Sequence, residues 1–95
     1  MRSVISDNRE CWVCRNPQVE KHHIYEGPLR KKSERYGAWV YLCPYHHRIQ
    51  GGINHNPVKE LDLRLKRQAQ RELEKKYGHP WFMNEFHRNW LEEEE

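Results

Sequence analysis

Apolar and polar positions divide this 95-residue chain into segments of different period. In the second half, Leu61, Leu65, Ala69, Leu73 and Tyr77 recur at every fourth position, with Val58 nearby and charged residues between them. That is the period of an amphipathic helix with one apolar stripe. Asn56 as N-cap and Pro57 at the first helical position mark its start, and Gly78 marks its stop. At about 1.5 Å per residue such a helix is ~30 Å long. Beyond it, Trp81, Phe82, Phe86 and Trp90 fall at near-helical spacing. They predict a short helix over about 80–91, laying its rings against the long helix or the first half of the chain.

The first half has a shorter rhythm. Residues 1–10 are a polar lead-in, and Cys11-Trp12-Val13-Cys14 followed by Arg15-Asn16-Pro17-Gln18 reads as a tight turn. Val19 to Tyr25 predicts a strand, broken by Glu26-Gly27-Pro28. Leu29 to Tyr36 is a loop or short helix, and Gly37 ends it. Ala38-Trp39-Val40-Tyr41-Leu42 is rich in β-formers and lies between Gly37 and Pro44, so it predicts a second strand, antiparallel to 22–25. Pro44 suits the first turn of a short helix to Gln50, stopped by Gly51-Gly52. The fold class is α+β: a metal-stabilised hairpin-plus-helix unit in residues 1–56, then a helical arm in 57–95 packed on it, as a single domain.

Composition sharpens this picture. Only 36% of the residues are apolar, so the core is thin and a bound metal is a natural support. There is no apolar run long enough for a membrane span, and the N-terminal residues lack the apolar stretch of a signal peptide. A reduced cytoplasmic setting is the expectation. Net charge is +3, but Glu92 to Glu95 are all acidic, and the first 91 residues carry 17 basic against 10 acidic side chains. That balance suits a polyanion such as DNA.

The three cysteines cannot all pair. They occur as Cys11-x2-Cys14, then after 28 residues Cys43-x2-His46, with His47 immediately following. Cys11, Cys14, Cys43 and one of His46 or His47 make a four-ligand set for tetrahedral zinc. His46 keeps the x2 spacing and is preferred. Four protein ligands leave no open position, so this zinc is expected to be structural. A His22-His23 doublet lies on the first strand. Adjacent strand residues point to opposite faces, so the two imidazoles can serve two roles.

Cys11, Cys14, His22-His23 and Leu42-Cys43-Pro44-Tyr45-His46-His47, in this order, resemble the HNH nuclease family, also called ββα-metal or His-Me finger nucleases. The pattern is similar to the zinc-stabilised phage and prophage branch, including relatives of RecA-dependent recombination nucleases. The match covers about residues 11–56. The resemblance implies a ββα-metal unit and an endonuclease or nickase that hydrolyses DNA phosphodiester bonds in recombination, replication or packaging, with a recombination or packaging protein as partner. It implies that His23 is the general base and that His22 and His47 bind a catalytic divalent ion such as Mg2+, Mn2+ or Ni2+. The family's further helix ligand falls on Gly51, which cannot bind a metal, so His55 or Asn54 would fill that place.

The chain departs from the family where a middle asparagine is usual: that position is Ala38. A catalytically degenerate, zinc-binding nucleic-acid module is therefore the alternative expectation. Arg30, Lys31, Lys32 and Arg35 in the hairpin connection, with Arg48 after His47, are the expected phosphate contacts. The mixed charges of the long helix read mainly as a solvated face.

Overall fold

A computed structural model describes residues 2–50 and 56–91; the side chains of 48–50 and 56–59 lie outside the description. His55 and the Arg48 side chain therefore fall outside the described residues. The elements run β1 (Glu20–His23), a 3-10 turn (Gly27–Leu29), α1 (Arg30–Arg35), β2 (Trp39–Leu42), α2 (Pro44–Gln50), α3 (Asn56–Tyr77) and α4 (His79–Phe86). The chain is α+β, with one two-stranded antiparallel hairpin and helices around it.

The hairpin register pairs Glu20 with Leu42, His22 with Val40 and His23 with Trp39. The connection between the strands is long, and a buried serine holds it. The Ser33 hydroxyl donates to the Ala38 carbonyl and accepts the Tyr25 N–H at 3.1 Å. One small side chain thus bridges two backbone groups, the Tyr25 N–H and the Ala38 carbonyl, inside the core. Gly37, at φ 78°, supplies the left-handed turn into β2. The lead-in is tied to this same hairpin: Val4 N–H donates to the Gly37 carbonyl and Trp12 N–H to the Tyr41 carbonyl, each at 2.9 Å.

One core draws on both halves of the chain. Ile24, Tyr25, Val40 and Leu42 from the hairpin meet Leu65, Ala69 and Leu73 of α3, and Phe82, Phe86 and Trp90 from the C-terminal segment. Tyr25 is its centre. Its ring lies 4.7 Å from Phe86 and 4.8 Å from Trp90, centroid to centroid, and its hydroxyl donates to the Lys66 carbonyl at 2.7 Å. Burial pushes the Tyr25 phenol well above its usual range, so it stays a neutral donor. Aromatic area of this kind is worth about 1.5–3 kcal/mol per buried side chain, which compensates for the small number of aliphatics.

Both strands are shorter than the sequence expectation, β1 lacking Val19, Ile24 and Tyr25 and β2 lacking Ala38, and the C-terminal helix and the end of the α3 stripe also differ from it. Helix α4 ends at Phe86 rather than near 91, because His87 takes a left-handed conformation (φ 64°) and its N–H caps the Met83 carbonyl at 2.9 Å. Trp90 still reaches the core, because its N–H donates to the buried Gln70 Oε1 at 2.9 Å. Tyr77 lies at the end of the α3 stripe, yet it is 41% exposed and packs its ring beside Trp81 instead of entering the core.

Candidate metal centre and histidine pocket

The Cys11–Cys14 turn is built by the backbone. Arg15 N–H donates to the Cys11 carbonyl at 2.8 Å, and Cys11 N–H to the Asn16 carbonyl at 2.9 Å. Arg15 itself is left-handed, at φ 64°. This tight loop aims both sulfurs at the start of α2. There Cys43 precedes the helix and His46 lies in its first turn, while Pro44 begins the helix without needing an N–H partner.

The ligand atoms of Cys11, Cys14, Cys43 and His46 all lie within 4.8 Å of one another. Cys14 Sγ is 3.7 Å from Cys43 Sγ, and His46 Nδ1 is 3.5 Å from Cys11 Sγ and 3.2 Å from Cys43 Sγ. A tetrahedral ion with bonds of about 2.3 Å to sulfur and 2.0–2.1 Å to nitrogen gives edges of roughly 3.8 Å and 3.5 Å. Those three separations are close to these values, and the four residues can hold a metal ion. The thiols' electrostatics point the same way. Burial alone would push the Cys11 thiol up, but backbone N–H groups of Cys43, Cys14 and Val13 outweigh it and bring it down to about 6. Cys14 is drawn down by the Asn16 backbone, yet ends above its usual value through burial and the neighbouring sulfurs. Three sulfurs this close cannot all ionise without a cation among them.

His47 points elsewhere. Its Nδ1 lies 2.7 Å from Glu20 Oε1; a carboxylate can only accept, so the ring donates there and leaves Nε2 as its acceptor nitrogen. Its ring lies edge-on to His22, with centroids 5.3 Å apart. His22 is buried, and its Nε2 has no hydrogen-bond partner among the described residues. Burial, with smaller contributions from the charges of His47, His23 and Lys66, lowers its pKa to about 4, so it is a neutral imidazole at ordinary pH.

His23, the last residue of β1, is held by a different carboxylate. Its Nε2 is 2.6 Å from Glu34 Oε1 on α1, and Lys21, two residues earlier on the same strand face, reaches the same carboxylate at 3.3 Å. The bond from His23, opposed by some burial and helped by Lys21, holds the Glu34 carboxyl below its usual value. His22, His23 and His47 share one open pocket of about 380 Å3 with Lys21, Glu26, Gly27 and Arg30.

Of the basic residues in the hairpin connection, Arg30 lines this pocket, and Lys31 and Arg35 are exposed. Lys32 turns away: its ammonium donates to the Glu85 carbonyl at 2.8 Å and lies 3.6 Å from the Glu85 carboxylate, tying α1 to α4. Ala38, at the departure from the family pattern, is fully buried, and its carbonyl accepts the Ile24 N–H at 3.0 Å.

Sequence reasoning missed the two carboxylates. Glu20 lies two residues before His22, and period-two alternation places both on one strand face, a signal that was available. Glu34 lies 11 residues from His23 on another element, and no spacing rule links them.

Among the described residues, no helix is long and apolar enough to cross a membrane. No family model, curated protein or solved structure matches the chain.

Proposed function

We propose that this chain is a metal-dependent nuclease of the HNH type, acting on DNA phosphodiester bonds, with a structural zinc at Cys11, Cys14, Cys43 and His46. The observation that carries the reading is the His22–His47 pair. The buried His22 ring, whose Nε2 has no partner among the described residues, lies edge-on to a second imidazole whose Nδ1 is held by a carboxylate. Metal-binding histidines are oriented in this way by an acceptor behind them. The donor set is soft and closed at the cysteines, which favours zinc, and open and nitrogen-based at the histidines, which accepts Mn2+, Ni2+ or Mg2+ completed by water and phosphate.

His22 and His47 would hold that divalent ion, which supplies charge neutralisation at the scissile phosphate. His23 supplies the base. With Nε2–H committed to Glu34, Nδ1 is the nitrogen that takes a proton from water as the hydroxyl attacks phosphorus. The P–O bond to the leaving oxygen breaks, and that oxygen takes up a proton from solvent. Glu34 does here the orienting work that the family pattern gives to the residue at position 38. Arg30, in the same pocket, is placed to meet a phosphate oxygen.

Buried Ala38, where the resemblance calls for asparagine, favours a second reading. In it the chain keeps the zinc and binds nucleic acid without cutting it. Ion content separates the two. Manganese titrated into zinc-loaded protein and followed by electron paramagnetic resonance should bind one site, lost in His47→Ala with zinc unchanged. Zinc alone, with no second ion at any concentration that saturates ordinary nuclease sites, supports the non-catalytic module.

A further inference from the structure

Helix α3 carries both signs of charge, and three of its described acids pair with residues outside one groove. Asp62 pairs with Lys66 at 2.8 Å and Glu72 with Lys75 at 3.3 Å; Glu74 meets His79 at 2.6 Å and Gln70 at 2.8 Å. Arg64, Arg67 and Arg71 follow at spacings of three and four, so they share one helix face. With Gln68 and the indole of Trp12 they line a groove of about 260 Å3, and none of these described lining residues is acidic.

The groove is organised rather than loose. Trp12 is fixed by its N–H to the Tyr41 carbonyl at the edge of β2. The Arg64 guanidinium carbon lies 5.8 Å from the indole centroid, in the range of a cation–π contact. Arg67 is anchored through Nε to the Trp90 carbonyl at 3.2 Å. Past Trp12 and Arg64 the groove opens into a cleft of about 690 Å3, where Tyr45 is 67% exposed and Glu60 is the one acid among the described lining residues. None of these residues lines the histidine pocket.

We propose that this face of α3, with Trp12, is a second nucleic-acid contact, a track for the phosphate backbone distinct from the histidine pocket; it rests on the nucleic-acid reading above. Guanidiniums match phosphate oxygens in geometry as well as charge. Arg64 and Arg71 are seven residues apart, about 10 Å along the helix, or the rise of roughly three nucleotides on one duplex strand. Trp12 and exposed Tyr45 add flat apolar surface against which sugars or unpaired bases can lie. With no base-reading element in the groove, the contact is independent of sequence and holds the substrate while the histidine pocket acts on it.

The test is fluorescence anisotropy of a labelled duplex over a salt series, comparing the zinc-loaded protein with R64Q/R71Q and R64K/R71K. The glutamine pair should weaken binding by about 10–100-fold at low salt. It should also make the log K against log salt slope shallower by about 2, at roughly 0.9 per phosphate contact. The lysine pair should restore most of the slope. Thermal melting and zinc content confirm that each variant is folded. A glutamine pair that binds as the wild type does, while the wild type nicks plasmid, overturns the groove alone. A wild type that binds no duplex at low salt overturns both the groove and the nuclease reading. Tighter binding of polyglutamate than of duplex, lost in R64Q/R71Q, assigns the face to an acidic protein and overturns the nucleic-acid track.

Discussion

His23 Nε2 lies 2.6 Å from Glu34 Oε1, so a histidine at the end of β1 is held by a carboxylate that α1 carries to it. The bond fixes the ring's orientation and its tautomer, leaving Nδ1 as the nitrogen that can accept a proton. In Glu34→Gln the amide oxygen can still accept but the negative charge is gone; in Glu34→Ala both are lost. We expect DNA cleavage to fall roughly 10-fold in the first and about 100-fold in the second, part of the 10²–10⁴ that a positioned base supplies. The loss should appear in kcat with KM little changed. Equal activity in all three proteins would show that Glu34 is a surface ion pair and nothing more.

Glu20 stands to His47 as Glu34 does to His23. Glu20→Gln should weaken the second divalent ion by about 10–100-fold without touching the zinc. Titration calorimetry with Mn2+ on zinc-loaded protein measures this. An unchanged affinity would remove His47 from the ligand set.

The cysteine cluster should decide whether the chain folds. Cys11 and Cys43 are buried in the hairpin core, and the lead-in is joined to it through Trp12 and the sulfurs. Chelation of the metal, or Cys43→Ser, should abolish the cooperative thermal transition seen by circular dichroism, because a structural zinc site contributes on the order of 10 kcal/mol to small domains. A melting temperature unmoved by chelation would mean that the aromatic core suffices alone.

His22 makes stability depend on pH. Its pKa is lowered from 6.5 to about 4 by burial. Above pH 6.5 the imidazole is neutral in both the folded and unfolded chains and contributes no slope. Between 6.5 and about 4 the unfolded chain takes a proton that the folded one refuses, so stability falls with pH and levels off below about 4. Over that window the wild type should lose about 3 kcal/mol more than His22→Leu in denaturant titrations without a second ion. The difference between the two proteins isolates His22 from the thiolates, which also titrate. Parallel curves would mean that His22 is not buried in solution.

What was legible in the sequence was what local pattern encodes. The fourfold spacing from Leu61 to Leu73 gives α3, Gly37 and Pro44 bracket β2, and the two Cys-x2 turns bring Cys11, Cys14, Cys43 and His46 together. What was not legible depends on approach in space. Glu34 reaches His23 only because the Ser33 hydroxyl fastens α1 to the hairpin. Lys32, one residue away from Ser33, looks like a phosphate contact in the sequence but turns to Glu85 because α4 packs there. The end of α4 is not legible because the spacing of Phe86 and Trp90 fits a helix, whereas His87 breaks it and a hydrogen bond to Gln70 returns Trp90 to the core.

Nicking of supercoiled plasmid by zinc-loaded protein with Mg2+, Mn2+ or Ni2+, beside His23→Ala, separates a nuclease from a binding module in one assay. Cleavage should require the added ion and disappear in His23→Ala, with zinc content and melting unchanged. Cleavage that survives in His23→Ala, or none from folded protein that binds both DNA and the second ion, would contradict that expectation.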